Sequence, residues 1–285
     1  MTYTTLISAT ELAQHLLEPN WIVLDCRHDL ANPNAGRAAY DTGHLPNAQF
    51  ANIDTDLSNK AVGPHGEFRG RHPLPDPAAF IETLRHWGIN HNSQVVAYDA
   101  HGGMFAARLW WMLRWVGHGA VAVLDGGLST WMASENWLST EHASKLRGNI
   151  ALQAAITTQV TVDEVLANVS TSARQVIDAR AADRFRGENE TLDPIGGHIP
   201  NAKNRFFKDN LQSDGRFKSA EQLRSEWNAL IAHPQNVIMQ CGSGVTACHN
   251  LLALEIAGLS GAALYPGSWS EWCANPNRPI ATGST

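Results

Sequence analysis

The sequence predicts an α/β protein of two tandem domains, each a doubly wound parallel sheet with helices on both faces. Three observations lead there. The chain is one unit written twice, each copy alternates short β-branched runs with helical periods, and 285 residues of which 44% are hydrophobic can fill two modest cores.

The repeat runs in order along the chain. Capping-box patterns open each copy at Ser8 to Glu11 and at Thr161 to Glu164, 153 residues on. VLDCR at 23–27 returns as VIDAR at 176–180 at the same offset, and GHLPNA at 43–48 returns as GHIPNA at 197–202, 154 on. VVAYD at 95–99 then lies opposite VIMQ at 237–240, the two ending 141 apart, and LDGGLSTW at 124–131 opposite YPGSWSEW at 265–272, 141 on. The falling offset places an extra loop in the first copy between residues 48 and 95. Within that copy the patterns predict strands at 21–25, 94–98 and 120–124 and helices near 77–87 and at 104–116. Parallel strands need crossover helices, so the alternation implies parallel sheets. The expected boundaries are 1–140 for the first domain, 141–156 for a linker that matches neither copy, and 157–285 for the second.

Composition excludes several roles. A net charge of −6, without any Lys/Arg run, argues against a nucleic-acid partner. No stretch of roughly 20 apolar residues suggests a membrane span, and the first residues lack the basic and apolar blocks of a secretory signal, so a cytoplasmic protein is expected. Four cysteines in a chain of this length are expected to remain thiols.

One of those thiols stands apart. Cys241 follows a predicted strand and opens CGSGVTA, a glycine-containing loop that leads into a helix. Backbone N–H groups and the positive helix end suit a thiolate there. Gly242 and Gly244 are read as allowing a tight loop, partly at positive φ. Cys248, in the following helix, and Cys26 and Cys273, without such loops, are read as structural. At the 141 offset Cys241 falls opposite Ala100, so the first copy lacks the nucleophile. Trp110, Trp111 and Trp115, at helical spacing, are read as core and domain interface.

CGSGVTA resembles the active-site loop of two-domain sulfurtransferases of the 3-mercaptopyruvate type, within the rhodanese superfamily. AALYPGSWSEW at 262–272 resembles that family's closing signature, and YDTGHLPNAQF at 40–50 its N-terminal one, with Asn47 where Gly is usual. The resemblance implies transfer of a sulfane sulfur through a Cys241 persulfide, with Cys241, Ser243, His72 and Asp54 catalytic. His72 and Asp54 match RHPLP and FANID, and the alternative for His72 is a surface histidine beside a proline. Arg184, Arg186, Gly242, Gly244, Val245 and Thr246 are expected to bind the donor, Arg184 through its carboxylate. The family's second arginine, in the loop before GHIP, is missing, since that loop reads ENETLDPI; Arg186 is the substitute considered. Asp25, Arg27, Asp178 and Arg180 recur in both copies and are read as structural. No metal or organic cofactor is implied, and the partners are a small sulfur donor and a thiol acceptor such as reduced thioredoxin. Thiosulfate is the alternative donor and passive persulfide carriage the non-enzymatic alternative. A cysteine phosphatase would need Arg at position 247, which is Ala.

Overall fold

The computed structural model describes residues 2–60, 63 and 66–284. It contains two five-stranded sheets, and each has all its strands parallel. The first is built from β1 (Leu6–Ile7), β2 (Trp21–Asp25), β3 (Ala48–Phe50), β4 (Gln94–Tyr98) and β5 (Val121–Leu124), in the order β1-β5-β4-β2-β3. The second repeats that order as β6-β10-β9-β7-β8, from β6 (Thr158–Gln159), β7 (Gln175–Asp178), β8 (Lys203–Asn204), β9 (Val237–Gln240) and β10 (Ala263–Leu264). Central strands β2, β4 and β9 are buried along their whole length, as expected of parallel strands covered on both sides.

Helices follow the same repeat. α1 (Ala9–His15) and α6 (Val162–Thr171) each start at the capping box read from sequence, with Ser8 accepting from the Glu11 N–H and Thr161 from the Glu164 N–H. The first copy continues with α2 (Ala35–Thr42), α3 (Pro77–His86), α4 (Ala106–Trp115) and α5 (Gly127–Ala133). The second has α7 (Ala182–Arg186), α8 (Ala220–Asn228), α9 (Thr246–Ile256) and α10 (Ser268–Cys273). α4 is buried nearly throughout, and Trp110 and Trp111 are among the largest fully buried side chains. None of the helices described is long and apolar enough to cross a membrane.

Local chemistry is copied too. Arg27 closes on Asp25 and on the Gly43 carbonyl at 2.7 Å, and Arg180 on Asp178 and the Gly197 carbonyl at 2.6 Å. Asn47 and Asn201 both sit at positive φ, 61° and 65°. Asn tolerates that left-handed region better than most residues, which explains how it stands where the related signature has Gly.

The chain divides into two compact units that are not simple halves. One comprises Met1–Asn59, Pro75–Ile156 and Gln212–Phe217; the other comprises Lys60–Leu74, Thr157–Leu211 and Lys218–Thr285. The expected linker runs along the first unit, where the N–H groups of Gly148, Gln153 and Ile156 donate to Arg85, Val116 and Arg114 carbonyls. The extra loop of the first copy leaves its own unit and supplies residues 60–74 to the second.

Candidate active site

Four buried residues of β9 lead straight to Cys241, so its backbone is fixed by the sheet. Its N–H donates to Ser268 Oγ at 3.0 Å, and its carbonyl accepts from the Trp269 N–H at 2.9 Å. The Gly242 carbonyl accepts from Ser270 N–H, also at 2.9 Å. The closing signature is therefore the bed on which the cysteine loop lies. Gly244 has φ 76°, and a Cβ there would stand 2.2 Å from the Pro266 carbonyl oxygen, so no other residue fits. Gly242 is different: its φ is not positive, and what crowds it is a pair of arginine side chains. α9 starts without a side-chain cap, leaving its positive end to act on the loop.

Sheet register corrects the alignment of the two loops. Asp25 pairs with Tyr98 and its repeat Asp178 pairs with Gln240, so the residue after the strand is Asp99 in one copy and Cys241 in the other. Asp99, not Ala100, stands in register with Cys241; a one-residue difference in loop length had hidden this. The Asp99 carboxylate accepts from the N–H groups of His101, Gly103, Phe105 and Ala106 at 2.7–3.0 Å. In the first copy, this loop therefore aims four backbone N–H groups at the side chain in that position.

Ser243 and His72 are brought together. His72 Nδ1 lies 2.8 Å from Ser243 Oγ, and both residues are buried, so the surface-histidine alternative does not hold. Asp54 belongs to the other unit, where its carboxylate stands 4.0 Å from Nε2 of buried His28.

Arg184 and Arg186 part company. Arg184 makes a forked contact with Glu190, at 2.7 Å and 3.1 Å to Oε1 and 3.0 Å to Oε2, and reaches Asp193 at 3.5 Å. Arg186, two residues along the same helical turn, points elsewhere and pairs with exposed Glu188. It lines a separate open pocket with Phe185 and Lys203, which removes it as a substitute clamp. Arg71, by contrast, pairs with Asp193 and faces Gly242 together with Arg184. Glu190 and Asp193 respond differently. Burial opposes ionisation of Glu190, but its Arg184 contact wins and holds the carboxyl below its ordinary value. For Asp193 burial wins over Arg71 and Arg184, and the carboxyl is raised.

Environment disfavours the thiolate at two of the other cysteines. Burial, reinforced by Asp99, Asp25 and Asp56, pushes Cys26 well up, and burial pushes Cys273 up to about 11. Cys248 is buried in α9 with Sγ 3.3 Å from the Gly244 carbonyl. Arg180 is enclosed by Asp178 and Glu190 and packs on the Trp269 ring. What the sequence did not disclose is Arg71, Glu190 and Asp193. The one available signal was that Arg71 immediately precedes His72 in RHPLP.

Comparison with known proteins agrees with this geometry. The rhodanese-like domain family matches residues 8–134 and again 161–275. A probable 3-mercaptopyruvate sulfurtransferase of Pseudomonas aeruginosa is 45% identical over 99% of this chain and 100% of its own length. The thiosulfate sulfurtransferase of Mus musculus is 32% identical over 99% of this chain and 97% of its own. The crystal structure of the 3-mercaptopyruvate sulfurtransferase SseA from Escherichia coli superposes with a TM-score of 0.81 at 31% identity, covering 94% of this chain and 100% of that one. Two matched domains, two sheets of one topology and a single cysteine loop in the second copy make this chain a member of the rhodanese superfamily.

Proposed function

We propose that this sulfurtransferase takes the thiol sulfur of 3-mercaptopyruvate onto Cys241, where it becomes the sulfane sulfur of a persulfide, and passes it to a thiol such as reduced thioredoxin, or to cyanide in an assay. The observation that carries the reading is the His72–Ser243 pair, 2.8 Å apart, beside a cysteine loop at an uncapped helix start. In the first step the Cys241 thiolate attacks the donor sulfur, an S–S bond forms, and the donor C–S bond breaks. Its electron pair moves onto the carbonyl oxygen as an enolate, which takes a proton to become pyruvate. Ser243, its hydroxyl poised by His72, donates to that oxygen as charge develops. In the second step the acceptor attacks the outer sulfur, and Cys241 leaves as thiolate. By the resemblance of FANID alone, Asp54 is the fourth residue proposed as catalytic. Val245 and Thr246, at the loop's entry into α9, line the donor. The four cysteines, all free thiols, suit the reducing cytoplasm we propose as its location.

Charge favours mercaptopyruvate over thiosulfate. Glu190 and Asp193 balance Arg184 and Arg71, so the site carries no excess of positive charge for a dianion. The relationship to a thiosulfate sulfurtransferase keeps slower thiosulfate turnover within the reading. Incubating the purified protein with each donor, and following pyruvate and thiocyanate, tests it. Pyruvate release with a higher kcat/KM for mercaptopyruvate is expected, and a preference for thiosulfate overturns the donor assignment.

A further inference from the structure

Arg71 lies in a segment with no helical or strand pattern, far from Cys241 in sequence, yet its backbone is docked on the bed of the cysteine loop. Its N–H donates to Ser270 Oγ at 3.1 Å. Gly70 before it approaches so closely that a Cβ would stand 2.7 Å from the Gly267 carbonyl oxygen. His72 after it engages Ser243. The Arg71 side chain therefore starts from a fixed point within the site.

Its far end converges with Arg184. A Cβ placed on Gly242 would lie 2.9 Å from Arg71 Nη2 and 3.8 Å from Arg184 Nη1. Among the described residues these two nitrogens have no hydrogen-bond partner, because Arg71 engages Asp193 through Nη1 and Arg184 spends Nε and Nη2 on Glu190 and Asp193. The acids hold the two forks still and leave one donor edge of each facing the residue after the nucleophile. Asp193 already lies between the two guanidinium groups, one oxygen toward each, which shows that their spacing accepts a carboxylate.

We infer that Arg71 is the second arm of the donor's carboxylate clamp, replacing the arginine that the ENETLDPI loop lacks, with its free Nη2 and Arg184 Nη1 gripping the carboxylate over Gly242. The inference rests on the mercaptopyruvate reading above. A carboxylate held there leaves the thiol of a three-carbon donor free to turn to Cys241. Gly242 is then required because a side chain would occupy the carboxylate's place.

The test is steady-state kinetics with mercaptopyruvate for wild type, Arg71→Ala and Arg71→Lys. Loss of one charge-assisted contact corresponds to roughly a ten- to hundredfold change in affinity. Arg71→Ala is expected to raise KM by that factor with kcat held within about threefold, as removal of ground-state binding requires. Arg71→Lys keeps a cation for Asp193, guarding against a folding defect, but loses the planar fork and should raise KM by less. A wild-type KM in both variants, or loss of kcat at unchanged KM, overturns the inference while leaving the persulfide mechanism standing. A wild type that releases no pyruvate from mercaptopyruvate overturns the donor reading and the inference with it.

Discussion

His72 Nδ1 stands 2.8 Å from Ser243 Oγ although 171 residues separate the two in the chain. The contact exists because the extra loop of the first copy joins the second unit. If the pair protonates the enolate oxygen, His72→Ala and Ser243→Ala lower kcat with mercaptopyruvate by about 10²–10⁴-fold. Thiosulfate has no carbonyl to protonate, so its kcat should fall much less. Equal losses with both donors would reduce the pair to a structural contact.

Cys241 is expected to be the sole sulfur carrier. Intact-mass measurement after mercaptopyruvate treatment should show one added sulfur atom in wild type and none in Cys241→Ser. Cys26→Ser and Cys273→Ser should retain transfer, since both thiols are buried and held protonated at neutral pH. Sulfur carried by the Cys241→Ser protein would contradict the assignment.

Gly242 and Gly244 separate binding from folding. At Gly244 an added methyl meets both a positive φ and a backbone oxygen 2.2 Å away, neither of which can yield cheaply. Gly244→Ala should therefore cost more than about 1 kcal/mol of stability and abolish transfer. At Gly242 the nearest atom is a side-chain nitrogen, Arg71 Nη2, and not backbone, so Gly242→Ala should fold normally and raise KM for mercaptopyruvate. Thermal melts and kinetics on the two variants distinguish the outcomes. A destabilised Gly242→Ala would mean that the loop, not the clamp, needs glycine.

The repeat was legible because a strand's face, a capping box and a tight turn each leave a local pattern, and these recur at fixed offsets. The parallel sheets, both helix starts and the place of Cys241 after a strand follow from such patterns. The alignment of Asp99 with Cys241 did not, because one residue gained or lost in a glycine-rich loop has no local signature and only hydrogen-bond register fixes it. Arg71 was hidden for another reason: it works through tertiary placement of a patternless segment. ENETLDPI was read for the basic residue it lacks, whereas its contribution is the two acids that hold Arg184 and Arg71.

Donor preference should be adjustable at Asp193. Its carboxylate separates two guanidinium groups, and replacing it by Asn keeps an acceptor oxygen of the same shape while removing one negative charge. Arg71, Arg184, Glu190 and residue 193 then sum to one positive charge instead of none. A dianion gains more from that change than a monoanion, so the ratio of kcat/KM for thiosulfate to that for mercaptopyruvate should rise about tenfold at low salt and less at high salt. Stability should not suffer. An acid whose pKa is raised in the folded protein binds its proton more tightly there than when unfolded. Stability then falls as pH rises from the unfolded value through the raised one. A permanently neutral Asn escapes that loss, so Tm at neutral pH should equal or exceed that of wild type. An unchanged donor ratio would show that the acids tune orientation of the arginines without setting the charge that the donor meets.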